Sequence, residues 1–159
     1  LIKNNTPIMG VIYVPVKNTL YFGLENLGAY KIENCNENNY NLDNLISHAQ
    51  KLPIDNKSEK YVVVGSRSHM SEETESYFSE LQREHGDIEI VSMGSSLKIC
   101  LVAEGVADIY PRFAPTMEWD TAAGQGIVEA AGKKIIDFET KGPMKYNREN
   151  LLNNWFIAK

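Results

Sequence analysis

One carboxylate, two cations and a few hydroxyls stand at positions where this sequence could do chemistry. Asp120 lies in Trp119-Asp120-Thr121-Ala122-Ala123-Gly124, behind a stretch marked by Pro111 and Pro115. Aspartate is a favoured N-cap, because its carboxylate accepts the free N–H groups of a first helical turn. The pattern therefore predicts a Pro-marked turn that delivers Asp120 to the start of a small-residue helix running to Ala131 and ending at Gly132. That helix end carries partial positive charge and favours a phosphate or a metal-bound anion beside it. Ala122, Ala123 and Gly124 leave no bulk, so another backbone or a ligand can come close. Taken alone, the same residues describe an ordinary capped helix.

Two other loops offer polar groups at the entry to a helix. Gly94-Ser95-Ser96 places hydroxyls and backbone N–H groups at a helix start, where serine is commonly only a cap. Lys98 follows in the first turn, and a cation there is unfavourable unless an anion compensates. Gly65-Ser66-Arg67-Ser68-His69 offers two hydroxyls, a guanidinium and an imidazole, although a loop arginine and histidine are more often plain surface groups. Arg112, after Pro111, is a rim charge or a phosphate contact. No glycine-rich phosphate loop, His-x-x-x-His or Cys-x-x-Cys is present, and no nucleophile elbow supports a Ser–His–acid triad.

The elements that must position these groups follow from the hydropathy pattern. Residues 8–33 predict a three-stranded antiparallel meander: Ile8–Val16, a turn at Lys17-Asn18-Thr19, Leu20–Leu24, a turn at Asn26–Gly28, and Ala29–Glu33. Tyr13, Tyr21, Phe22 and Tyr30 are expected to share its packed face. A ribbon this small needs a partner sheet to bury enough surface. Residues 34–44 are Asn-rich and read as a loop, while Leu45–Leu52 is ambiguous. Tyr61–Val64 is a continuous apolar run, as in a strand buried on both faces. Ser71 then caps a helix closed by Gly86, with Tyr77, Phe78 and Leu81 as its stripe. Ile88–Val91 is a strand, Leu97–Glu104 a buried helix stopped by Gly105, and Ala107–Tyr110 a strand. Lys134–Phe138 and Trp155–Ala158 are the last strands, with a turn at Lys141-Gly142-Pro143. Alternation of this kind predicts an α/β layered domain with a mixed sheet flanked by helices.

Composition narrows the function. The 159 residues are 43% hydrophobic and 23% charged, with a formal charge of −5. Such a chain suits a globular domain and not a nucleic-acid surface, which needs a basic face. It leaves room for a local basic pocket around one phosphorylated small molecule. Cys35 and Cys100 match no metal or redox spacing, which points to a reducing compartment, and no run approaches transmembrane length. The residues alone thus reach an α/β domain with a small anionic ligand and one metal carboxylate.

Several segments together resemble a known family. Gly94-Ser95-Ser96-Leu97-Lys98, Leu101-Val102-Ala103-Glu104-Gly105, Tyr110-Pro111-Arg112-Phe113 and Trp119-Asp120-Thr121-Ala122-Ala123-Gly124 look like the C-terminal half of CysQ-type 3′(2′),5′-bisphosphate nucleotidases. These belong to the inositol-monophosphatase-like superfamily of magnesium-dependent, lithium-sensitive phosphatases. Gly65-Ser66-Arg67-Ser68-His69 and Val11-Ile12-Tyr13-Val14-Pro15 also fit, so the likeness covers nearly the whole chain and is weakest across 34–60.

The resemblance implies hydrolysis of the 3′-phosphate of 3′-phosphoadenosine 5′-phosphate, a small-molecule nucleoside bisphosphate, to AMP in the cytoplasm or at the inner-membrane periphery. It implies two or three Mg²⁺ ions in the complete enzyme, with Asp120 as a metal ligand shared with the substrate region. Ser66, His69, Gly94, Ser95, Ser96, Lys98 and Arg112 would hold the nucleotide and its phosphates. The family's upstream Asp-Pro-x-Asp metal motif is missing, since no Asp-Pro occurs in this sequence. The expectation is therefore a C-terminal portion, inactive by itself and carrying no complete catalytic set. Residues 1–34 would be the tail of an N-terminal domain that is its partner, and 35–159 the C-terminal phosphate-binding domain. An inositol or sugar phosphate phosphatase of the same superfamily, and a non-catalytic phospholigand-binding module, are the alternatives.

Overall fold

The computed structural model describes residues 1–35, 44–54, 58–65 and 70–159. The chain opens with a tight hairpin of β1 (Ile2–Lys3) and β2 (Thr6–Pro7). Its two turn residues, Asn4 and Asn5, have φ of 50° and 62°, the left-handed pair that a two-residue hairpin of this twist requires. Next come β3 (Met9–Val14), β4 (Thr19–Leu24) and β5 (Gly28–Ile32), the meander expected from the pattern. The ambiguous stretch before Pro53 contributes β6 (Gln50–Leu52), so the antiparallel sheet has four strands in the order β3-β4-β5-β6.

Two expectations about this sheet change. Tyr21 does not share a face with Tyr13, Phe22 and Tyr30, because strand side chains alternate with period two. Phe22 stacks on Tyr30 at 5.4 Å on one face, while Tyr21 joins Ala29 and Leu52 in the main core on the other. The covering layer is also a helix and not a second sheet. Gly10 and Gly23 face each other in register and make a flat spot free of side chains. Against it lie the backbone of Ala123 and Gly126 and the small side of Ile127 and Ala130.

The second half runs β7 (Tyr61–Val64), α1 (Glu72–His85), β8 (Ile88–Val91), α2 (Leu97–Glu104), β9 (Tyr110–Arg112), α3 (Glu118–Ala130), β10 (Ile135–Asp137) and β11 (Phe156–Ala158). Ser71 caps α1 through a bond from the Thr74 N–H, and Gly105 ends α2 with φ of 79°. β7 and β8 are parallel, and β10-β11-β9 is antiparallel. A parallel bridge between Val63 and Ile109 joins the two sets into one mixed layer. The strand expected at 107–110 sits later, at Tyr110–Arg112. Pro111 has no N–H to give, so pairing with β7 stops at Ile109 and β9 pairs with β11 instead.

The layers follow from which side of each strand is apolar. Val62 and Val64 pack with α2, α3 and the antiparallel sheet in one cluster. Val63 points the other way, into a second cluster with Phe78 and Leu81 of α1. This double burial is why Tyr61–Val64 reads as an unbroken apolar run. The result is an α/β stack: antiparallel sheet, the α2–α3 pair, mixed sheet, then α1. Among the described residues no helix is long and apolar enough to cross a membrane.

Candidate phosphate-binding site

The start of α3 is set by distant parts of the chain. The helix begins at Glu118, so Asp120 is not its N-cap but the third residue of its first turn. One carboxylate oxygen, Oδ2, accepts the Met117 N–H at 2.8 Å, and the Asp120 N–H donates to the Met117 carbonyl at 2.9 Å. The helix starts early because segment 147–153 holds it. Glu118 N–H donates to the Leu151 carbonyl at 2.9 Å, and Met117 forms a bridge with Leu152. The Glu118 carboxylate accepts the Asn147 N–H at 2.6 Å and the Arg148 Nε–H at 3.0 Å. Burial alone would raise the Glu118 pKa, but these donors outweigh it and hold the carboxyl below its ordinary range.

Asp120 faces a cavity of about 260 Å³. Ser95, Ser96 and Lys98 reach it from the start of α2, Tyr110 and Arg112 from β9, and Thr116 and Thr121 from either side of Asp120. Five residues singled out in the sequence (Ser95, Ser96, Lys98, Arg112 and Asp120) thus share one wall. Gly94 does not border it. Ser66 and His69 lie outside the described residues. Tyr110 and Thr121 stand in the sequence only as members of the segments that resemble the family, and Thr116, in a turn-forming stretch, carries no signal of its own.

The cavity has an electrostatic preference. Lys98 has no ion-pair partner among the described residues and sits 5.6 Å from the centre of the Tyr110 ring. Its pKa is lowered, first by burial and then by the neighbouring Arg112 charge. An anion between the two cations would relieve both effects. Arg112 donates from Nη2 to the Pro115 carbonyl at 3.2 Å, while its buried Nε has no partner among the described residues. Ser96 precedes α2 without making a side-chain cap bond, so its hydroxyl is not spent on the helix. Ser95 is held at φ of 53°, a conformation that costs a non-glycine residue about 1 kcal/mol or more and recurs at ligand sites. A smaller cavity of about 90 Å³ lies behind Lys98, Tyr110 and Arg112, bordered by Gly65 and by Ser71 and Thr74 of the α1 start.

These donors suit a phosphate ester. Asp120 Oδ1 has no partner among the described residues, and the side chain fits as one ligand of a magnesium ion, which takes one or two carboxylates along with phosphate and water. Among the described residues no three histidine, cysteine or acidic side chains gather into a metal-holding group. Asp120 thus fits as a single ligand of a shared ion.

Known proteins resemble this chain in sequence and in structure. It is 41% identical over 157 residues to the 3′(2′),5′-bisphosphate nucleotidase CysQ of Shigella flexneri, covering 98% of the chain and 56% of that protein. The CysQ of Escherichia coli K12 is 40% identical over 157 residues with the same coverage. The crystal structure of CysQ from Bacteroides thetaiotaomicron superposes with a TM-score of 0.92 at 48% identity, over 99% of this chain and 59% of that one. Inositol monophosphatase II from Staphylococcus aureus, at 18% identity and a TM-score of 0.71 over 99% of this chain and 52% of that one, shares the fold. The chain spans 56% of the length of the curated relatives named above. The model of the inositol monophosphatase family matches residues 1–158, and the chain belongs to that family.

Proposed function

We propose that this chain carries the phosphate-binding part of a Mg²⁺-dependent 3′(2′),5′-bisphosphate nucleotidase that converts 3′-phosphoadenosine 5′-phosphate to AMP and phosphate. The observation that carries this reading is the meeting of Lys98 and Arg112 with Asp120 around one cavity. The names of the CysQ relatives support the choice of a nucleoside bisphosphate over an inositol phosphate.

Each residue has a distinct part in this scheme. Lys98 and Arg112 hold phosphate oxygens by charge-assisted hydrogen bonds. The hydroxyls of Ser95 and Ser96 complete the anion cradle, and Gly94 is a proposed contact on the family resemblance. Ser66 and His69 are proposed nucleotide contacts on the family resemblance. Asp120 would hold a Mg²⁺ ion beside the same phosphate, where the ion would supply polarisation of a phosphoryl oxygen and of water. Lithium sensitivity and a cytoplasmic location belong to the same proposal.

Calorimetric titration of adenosine 3′,5′-bisphosphate into the chain tests the site. Binding is expected, and Lys98→Met should weaken it by about 10- to 100-fold, the worth of one hydrogen bond to a charged group. Equal affinity for myo-inositol 1-phosphate would favour a sugar phosphate substrate, and unchanged affinity in Lys98→Met would remove Lys98 from the site.

A further inference from the structure

Thr116 borders the main cavity beside Asp120. It is gripped from behind by Asn153, whose backbone N–H donates to the Thr116 carbonyl at 2.8 Å and whose surface is only 6% exposed. The side-chain amide of Asn153 has a forced orientation. Its Oδ1 faces Arg148 Nη2 at 3.5 Å, and a guanidinium only donates, so the oxygen belongs at that end. Its nitrogen then faces two hydroxyls, Thr116 Oγ1 at 3.2 Å and Thr121 Oγ1 at 3.1 Å. An amide nitrogen only donates, so both hydroxyl oxygens accept.

The two threonines differ in what happens to their own protons. Thr121 is 1% exposed and donates to the Glu118 carbonyl at 3.3 Å. Thr116 has no acceptor among the described residues, and its open side is the cavity. We infer that Thr116 is a ligand-binding residue that donates its hydroxyl proton to a phosphate oxygen in this cavity. Asn153 is the positioning residue that fixes the direction of that donation. The inference rests on the bisphosphate reading of the site and adds to it a contact and the device behind that contact. Arg148, held by Glu118 at 3.0 Å, is the anchor that keeps the Asn153 amide from flipping.

The test is calorimetric titration of adenosine 3′,5′-bisphosphate into the chain and into Thr116→Val, Thr116→Ser, Asn153→Asp and the double variant Thr116→Val/Asn153→Asp. Melting temperatures are recorded alongside. Valine keeps the shape and loses the hydroxyl, and affinity should fall about tenfold, with serine restoring it to within about threefold. Aspartate at 153 accepts where the amide donated, so it draws the Thr116 proton away and should also cost about tenfold. The double variant should bind no more weakly than either single one, because both remove the same contact. Unchanged affinity in Thr116→Val, or losses that simply add in the double variant, would overturn the inference. A wild-type chain that binds no bisphosphate would remove the functional reading as well, whereas normal wild-type binding with a silent Thr116→Val removes this inference alone.

Discussion

Gly10→Ala is expected to cost this protein about 4 kcal/mol or more, a large fraction of the roughly 5–15 kcal/mol that holds a typical domain folded. A Cβ at this position would lie 1.9 Å from the Ala123 carbonyl oxygen and 2.8 Å from its carbon. Both are backbone atoms of α3, so no side chain can swing aside. The reciprocal contact is as close: a Cβ on Gly126 would meet the Gly10 nitrogen at 2.9 Å. Relief requires α3 to move off the antiparallel sheet, and α3 carries Asp120. Overpacking against side chains already costs about 1–3 kcal/mol, and a backbone obstacle gives less. Thermal unfolding followed by circular dichroism should show a midpoint lower by about 10 °C or more. Gly142→Ala is the control, since its nearest neighbour is a Thr140 hydroxyl at 3.7 Å, and it should shift the midpoint little. A Gly10→Ala midpoint equal to that of the control would show that the sheet and α3 are not in this contact.

The second large effect is expected from Glu104→Ala. Glu104 ends α2, is 4% exposed, and ties the helix pair to the antiparallel sheet. It accepts the Tyr21 hydroxyl at 2.6 Å and the Lys31 ammonium at 2.8 Å. Removing it leaves the Tyr21 phenol without this acceptor and the Lys31 ammonium, whose side chain is 13% exposed, held by the exposed Glu33 carboxylate at 2.8 Å. Breaking a buried pair costs about 3–5 kcal/mol, and the remaining Lys31–Glu33 pair places the expected loss at the lower end of that range. Replacing both partners, as in Glu104→Leu/Lys31→Met, should cost less than Glu104→Ala alone. Urea unfolding of the three variants measures the difference, and a single variant no worse than the double would contradict the assignment.

The same cluster sets an alkaline limit. Burial, then the bond and charge of Glu104, push the Tyr21 phenol above its ordinary 10.0. Burial alone would lower Lys31, but its bonds to Glu104 and Glu33 outweigh that and hold it above 10.5. Both pKa values are raised on folding, so their contribution is complete below the unfolded values and is lost as pH rises through the folded ones. The urea midpoint should therefore draw no pH dependence from these two groups between pH 7 and about 10, and should fall above that. Glu104→Ala should flatten the alkaline fall.

These couplings mark where local sequence stops being informative. Tyr61–Val64, the Ser71 cap and the Gly105 stop were legible because each is decided within a few residues. The smallness of Ala122, Ala123 and Gly124 signalled a close approach, and the approach is made by β3 at Gly10. That a helix and not a sheet covers the meander depends on Gly10 and Gly23 meeting in register, which no local window reveals. The N-cap expected at Asp120 falls at Met117, three positions earlier, for a similar reason. Methionine is a poor cap by propensity, and the helix starts at Glu118 because Arg148, Leu151 and Asn153 hold it there. Lys98 was the most legible site residue, since an uncompensated cation in a first turn is already a physical anomaly. Thr116 was illegible, because its importance lies in Asn153, 37 residues away.

The most direct test of the account is phosphate release from 3′-phosphoadenosine 5′-phosphate with Mg²⁺. It would be measured on the chain and on the chain fused to the part of a CysQ relative that it leaves unmatched, each with and without Asp120→Asn. The account predicts release by the fused protein that falls at least about a hundredfold in the Asp120→Asn variant, as loss of a group that orients the metal at the phosphate requires. A folded, nucleotide-binding fusion that releases no phosphate, or one indifferent to Asp120→Asn, would contradict it.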